Sequence, residues 1–369
     1  MWHKVSGAVG NFSTRKTVVG LVIVFSVFAY FTALGSVLPN RDLHQWARLF
    51  VAPKAHLPSI PHTIAFDIAI DPTDSANLYL AVDTPVPILY SKDFGATWLT
   101  QTVGLPTTAI GHRIAIDPTR PERIFLGLAN GSIYRSDNGG STWIESLGST
   151  GTSLGALMVH PITPTVVFAG SAVGLPYIYR SEDGGNSWTS IALTEPSNRE
   201  VTQIVVDRKD PAKVYAVVKD EGVFVSLNVG LTWENSGTLA DWIAIDPVNP
   251  DTMYKIQCEL YKSENGGAWV QMATPNPCYE RLYITPNSSN ILYLTTQYRS
   301  ATKSTDGGAS WELLDRSIAG SLYEQSVPFA VDPKADDRVY LYTASTTHDL
   351  EWDLFVLPGY PTFISFLEK

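Results

Sequence analysis

Ser136-Asp137-Asn138-Gly139-Gly140-Ser141-Thr142-Trp143 is one of six copies of a short pattern that organises this chain. Ser91-Lys92-Asp93-Phe94-Gly95-Ala96-Thr97-Trp98 is another, and Ser181–Trp188, Ser226–Trp233 and Ser304–Trp311 repeat it with Asp183, Asn228 and Asp306 in the third place. A copy one residue short reads Ser263-Glu264-Asn265-Gly266-Gly267-Ala268-Trp269. The tryptophans succeed one another at intervals of 45, 45, 45, 36 and 42 residues. A period in this range marks an array of one supersecondary unit. The Asp or Asn can accept backbone N–H groups a few residues on, which makes a turn without a partner strand. The glycine takes positive φ without a Cβ clash, and the tryptophan brings a large ring to pack between sheets. A carboxylate that bound metal or cut a bond would not be Asn in three of six copies. Asp93, Asn138, Asp183, Asn228, Asn265 and Asp306 are therefore read as structural.

A second periodic element precedes each turn: an apolar strand ending in Asp-Pro or a relic of it. The copies are Asp67-Ile-Ala-Ile-Asp71-Pro72, Arg113-Ile-Ala-Ile-Asp117-Pro118, Ala156-Leu-Met-Val-His160-Pro161, Gln203-Ile-Val-Val-Asp207, Trp242-Ile-Ala-Ile-Asp246-Pro247, Arg281-Leu-Tyr-Ile-Thr285-Pro286 and Pro328-Phe-Ala-Val-Asp332-Pro333. Two further β-branched or aromatic runs lie between each strand and its turn, and one follows. The expectation is an all-β, seven-bladed β-propeller of four-stranded blades over residues 64–369. The last unit lacks the tryptophan turn. It closes the ring alone or borrows a strand from residues 50–63.

The repeated turn resembles the Asp-box, or BNR repeat, of the β-propeller family that bears it. Among such proteins the chain is most similar to the photosystem II assembly and stability factor-like propellers, and more distantly to sortilin-type and sialidase-like ones. The resemblance implies a binding or assembly scaffold. It departs from sialidases, because His112-Arg113-Ile114-Ala115 lacks the aromatic residue and the proline of their Phe/Tyr-Arg-Ile-Pro signature. Asp-box xyloglucan hydrolases resemble two such propellers joined into a cleft, and here one is present. The photosystem-type family is associated with an arginine-rich patch, for which Arg113, Arg199, Arg281 and Arg299 are the candidates.

Outside the repeats, Thr17–Leu38 runs for 22 positions without a charge, long enough to span a bilayer as a helix. The organisation expected is a cytoplasmic tail (1–16), one N-terminal transmembrane helix (17–38), a juxtamembrane segment (39–63) and the propeller (64–369). Within the juxtamembrane segment, Leu43, Trp46, Leu49 and Phe50 stand at helical spacing, which predicts a short helix over 41–52, lying on the membrane surface or packed against the propeller, followed by a Pro-rich linker over 53–63. Lys4, Arg15 and Lys16 before the span tie with Arg41, Arg48 and Lys54 after it, so cation count does not orient it. Cys258 falls in the turn between second and third strands of unit five, and Cys278 in the loop leading to unit six. Those connections emerge on one face, so a disulfide is allowed, and two free thiols is the other reading. The pair favours an extracytoplasmic propeller.

A net charge of −10 argues against a nucleic-acid partner. No phosphate loop, dinucleotide fingerprint or zinc-spaced cysteine set is present, so neither cofactor nor metal is expected. The face away from the tryptophan turns is the usual binding surface of such an array. There, at the channel mouth, the position four residues before each Asp-Pro offers Asp67, Arg113, Gln203, Trp242 and Arg281, with Arg199 and Arg299 nearby. They could hold a polar ligand or a partner segment, or simply line a solvated opening. Glu200, Glu280 and Glu324 could supply a glycosidase carboxylate pair, but no spacing singles one out. The main expectation is a membrane-anchored, non-catalytic scaffold or accessory subunit of a membrane complex, with a protein partner. The alternative is a membrane-bound glycoside hydrolase or glycan-binding propeller.

Overall fold

Why the sheets form is plainest in their second strands. Leu78–Val82, Ile124–Leu128, Val167–Ser171 and Val214–Val218 are buried at every position. They read as continuous apolar runs because sheets cover them on both faces. The fourth strands are short and exposed, as at Leu99–Thr100 and Glu234–Asn235. The computed structural model describes residues 47–51, 64–83, 86–194, 198–276, 278–296, 301–314, 329–344 and 352–357.

These residues form an all-β propeller. Six blades are each built from four consecutive strands, paired antiparallel in chain order. Their inner strands are Ala65–Ile70, Gly111–Ile116, Leu154–Val159, Val201–Val206, Trp242–Ile245 and Arg281–Ile284. The expectation of a seven-bladed propeller is corrected here: among the described residues six blades are built from consecutive strands. The remaining strands, Phe329–Val331, Val339–Ala344 and Trp352–Leu357, complete a four-stranded sheet only by taking Ala47–Val51 at its outer edge. That strand also corrects the helix expected over 41–52. An edge offering unpaired backbone groups recruits an extended segment, and pairing with Trp352–Leu357 wins over the helical spacing of Leu49 and Phe50. The segment 17–38 lies outside the described residues. Among the described residues, no helix is long and apolar enough to cross a membrane.

The core is divided among the seams between sheets. Tyr79 and Tyr90 of blade one meet Ile114, Leu126 and Trp143 of blade two. Phe125 of blade two meets Val167 and Trp188 of blade three, and Phe168 of blade three meets Val214 and Trp233 of blade four. Trp143, Trp188 and Trp233 thus deliver their rings to the preceding blade, whereas Trp269 of the short turn lies beside Lys255 of its own blade. The composite sheet packs on both flanks: Tyr340 and Val356 join Leu80 and Trp98 of blade one, and Phe329 joins Tyr293 of blade six. Ser75 Oγ donates to Asp332 across the same boundary with blade one at 2.6 Å.

The turns are self-contained. In blade two, Ser136 Oγ accepts the Gly140 N–H at 2.8 Å and donates to Asn138 Oδ1 at 2.9 Å, which accepts the Thr142 N–H at 2.9 Å. Asp93, Asp183, Asn228 and Asp306 do the same in their blades. Asn265, in the short copy, makes none of these bonds: Ser263 Oγ instead donates to the Gly267 carbonyl at 2.7 Å, and Asn265 takes φ +52°. The Gly139, Gly184 and Val229 N–H groups donate to Glu122, Thr165 and Ala212, which places these turns beside the first turns of their own blades, on one face. The opposite face carries the channel mouth.

Candidate functional site

The inner strand of a blade has a ladder partner on one side only, so half of its backbone groups face the channel. Leaving a buried one unpaired costs on the order of 1–3 kcal/mol. In the first four blades the inner strand opens with a β-bulge, between Ala65 and Asp67, Gly111 and Arg113, Leu154 and Ala156, and Val201 and Gln203. A bulge re-aims the side chain that follows it. Here it turns three polar side chains toward the next blade.

Asp67 Oδ2 accepts the Ile114 N–H of blade two at 3.0 Å, while its Oδ1 accepts the Ile68 N–H at 2.9 Å. Arg113 donates from Nε to the Gly155 carbonyl of blade three at 2.8 Å and from a terminal nitrogen to His112 O at 2.9 Å. Gln203 donates to the Ile243 carbonyl of blade five at 2.9 Å and accepts its N–H at 3.0 Å. Trp242 Nε1 donates to the Leu282 carbonyl of blade six at 3.0 Å. Four chemically different side chains thus perform one task, latching the seam to the next inner strand.

Arg281 and Trp242 stack on one another within this ring. The guanidinium carbon lies 5.3 Å from the indole centroid, a cation–π distance. Tyr283 extends the aromatic surface, 6.2 Å from Trp242 and 4.7 Å from Phe329 by ring centroids. All four line a central cavity of about 640 Å³, with Asp67 and Gln203. That size falls among ligand pockets. Tyr283 and Phe329 are not among the site candidates that the sequence offers. The signal for Tyr283 was its place two residues after the mouth position, where period two returns a side chain to the channel and blades one, two and five carry alanine.

Electrostatics at the mouth are nearly self-balanced. Burial pushes the Asp67 carboxyl above its usual range, against the pull of Arg113, two backbone N–H bonds and Arg281. Burial and the Arg113 charge hold His112 down to about 4, so its ring is neutral and donates from Nδ1 to the Leu154 carbonyl at 2.8 Å. Burial also raises Glu280. Glu200 lies over Gly155, where an added Cβ would sit 2.8 Å from its Oε1. The tightest neighbour of that Cβ would be the Val201 carbonyl oxygen at 2.4 Å, so the glycine is required by the close approach of blade four's backbone. Arg199 is not in the channel: it forms an exposed ion pair with Asp220. Arg299 and Glu324 lie outside the described residues. Cys258 and Cys278 are joined by a disulfide beside the mouth. Among the described residues no three His, Cys, Asp or Glu side chains gather as metal ligands. His160, at an Asp-Pro position, copies the aspartate: Nδ1 accepts the Thr163 N–H at 2.9 Å, and Nε2 donates to Pro211 O at 2.9 Å.

No family model matches the chain. It is similar to xyloglucanase Xgh74A of Acetivibrio thermocellus, with 26% identity over 288 residues, and to a Paenibacillus xyloglucanase, with 29% over 162 residues. These alignments take in 66% and 34% of this chain but only 32% and 16% of those proteins. Among solved structures, an ancestral GH74 enzyme superposes with TM-score 0.63 at 17% identity, covering 84% of this chain and 47% of that one. YCF48 from Cyanidioschyzon merolae superposes with TM-score 0.59 at 12% identity, covering 85% and 98%. Identities this low show the fold alone. The sequence relatives overturn the expectation of a non-catalytic protein-binding scaffold: by name they act on a glycan, and the alternative reading accounts for them.

Proposed function

We propose that this chain is a glycan-recognising propeller of the Asp-box type, directed at a polysaccharide of the xyloglucan class. One observation carries the reading: 26% identity to a xyloglucanase sustained over 288 residues. The mouth fits it chemically. Trp242 offers an indole face for a sugar ring, and Arg281, Glu200 and Glu280 offer hydrogen-bonding groups to hydroxyls. Either of the last two carboxylates could serve a hydrolytic step. In this reading the composite sheet completes the ring as a seventh blade, and residues 17–38 anchor the propeller on the extracytoplasmic side of a membrane.

Affinity electrophoresis of the purified chain in gels containing xyloglucan tests the proposal, with reducing ends assayed in parallel. The expected result is retardation by xyloglucan, weakened at least tenfold by Trp242→Ala and less by Trp242→Phe, both with unchanged circular dichroism. Reducing ends that disappear with Glu200→Gln or Glu280→Gln would assign hydrolysis as well. Mobility unaffected by every polysaccharide, with no reducing ends released, would overturn the reading.

A further inference from the structure

Blades five and six are joined at the mouth by a covalent bond as well as by side-chain contacts. Cys258 sits between the second and third strands of blade five, Thr252–Gln257 and Glu259–Glu264, and is bonded to Cys278 just ahead of the inner strand of blade six. Cys258 also holds both neighbouring mouth segments through its backbone. Its N–H donates to the Asp241 carboxylate, and its carbonyl accepts the Tyr279 N–H at 2.8 Å. Asp241 immediately precedes Trp242, and Tyr279 is a buried anchor two residues before Arg281. The Arg281–Trp242 stack and the Trp242–Leu282 hydrogen bond cross the same seam. Cys258 takes φ +61° as the tip residue of the hairpin in which Gln257 pairs with Glu259, as Asp220 does at φ +60° in the corresponding turn of blade four. Cys278 is exposed, so a reductant can reach the bond.

We propose that the Cys258–Cys278 disulfide is a redox-operated clamp on the channel mouth. Oxidised, it keeps Trp242 and Arg281 stacked over the cavity. A dithiol reductant delivers two electrons and two protons: the S–S bond breaks, both cysteines become thiols, and the dithiol closes to its own disulfide. The tie between the blade-five hairpin and the segment ahead of Arg281 is then lost, the hydrogen bonds to Asp241 and Tyr279 loosen, and the stack is no longer enforced. Among the described residues the other seams are held by side chains and hydrogen bonds, so the change is local. The consequence for a sugar ligand rests on the function proposed above. The clamp itself does not.

Hydrogen exchange on the full chain tests it, comparing the oxidised protein, the protein after dithiothreitol with thiols counted, and Cys258→Ser/Cys278→Ser. Amides of 241–243 and 279–284 are expected to exchange at least tenfold faster on reduction, while 112–116 of blade two keep their rates. The double variant is expected to match the reduced protein with or without dithiothreitol. Unchanged rates at 241–243 and 279–284 would overturn the clamp. So would equal acceleration in every blade, which would make the bond a general staple. The readout needs no ligand, so failure to bind xyloglucan with the exchange difference present would sink the functional reading alone.

Discussion

The two ends of the channel solve different problems with the same periodicity. At the tryptophan turns the side chains serve themselves: Asp306 spends its carboxylate on Ser304 and on the Ser310 N–H and hydroxyl, all within its own turn. At the mouth the side chains serve their neighbours: Asp67 reaches Ile114, 47 residues away, and Gln203 reaches Ile243, 40 residues away. A local task admits few solutions, so the turns look alike. Latching a neighbouring backbone needs only some donor or acceptor of suitable length, so Asp, Arg, Gln and Trp all succeed and the register looks random. Sequence variety there reflects, at Asp67, Arg113, Gln203 and Trp242, how many chemistries can make the latch.

The contrast can be broken first at the rings that the turns deliver. Trp143 is 3% exposed in the seam between blades one and two, so Trp143→Ala is expected to cost about 3–5 kcal/mol. Trp269, in the short turn, is only half-buried and lies beside Lys255, 5.4 Å from its ring centroid. Trp269→Ala is expected to cost about 1 kcal/mol, as for a substitution nearer the surface. Denaturant midpoints of the two variants measure the difference, and equal losses would mean that the missing residue has not displaced that ring.

Next comes the latch. Gln203→Leu strands the N–H and carbonyl of Ile243 together, and a loss of about 2 kcal/mol is expected from the same denaturation curves. Asp183→Asn at the opposite end is expected to stay within about 0.5 kcal/mol, because Asn138 and Asn228 already hold equivalent turns. A Gln203 variant as stable as wild type would return that residue to the candidate ligand contacts.

Acid separates the ends more gently. His112 is depressed to about 4 when folded, against about 6.5 when unfolded. Protonation therefore favours the unfolded chain, and the stability held by neutral His112 is complete above about pH 6.5 and is lost as pH falls toward 4. Melting temperature should decline through that window, and His112→Gln should flatten the decline. A resonance titrating near 6.5 in the folded protein would contradict it.

The smallest effect expected is at Asp306. The hydroxyl and amide of Ser310 and the hydroxyl of Ser304 hold its carboxyl down to about 2. Its contribution is present above the ordinary carboxylate pKa of about 4 and disappears as pH falls through 2. Asp306→Asn should leave the neutral-pH melting temperature nearly unchanged and remove this part of the acid slope. An unaltered slope would show that the turn does not depend on the charge.

By itself the sequence determined the all-β repeat, the place of each turn and the self-sufficiency of its Asp or Asn. Those features rest on contacts within a few residues, and local spacing records them. It could not determine which segment would supply the outer strand of the last sheet. Ala47–Val51 carries helical spacing, and the unpaired edge of Trp352–Leu357 lies about 300 positions along the chain. Nor could it show that Asp67, Arg113 and Gln203 are spent on neighbouring backbones. That was decided by the bulges ahead of them and by the approach of blades some 40 residues apart, because a side chain's partner is fixed by tertiary distance and no local pattern encodes it.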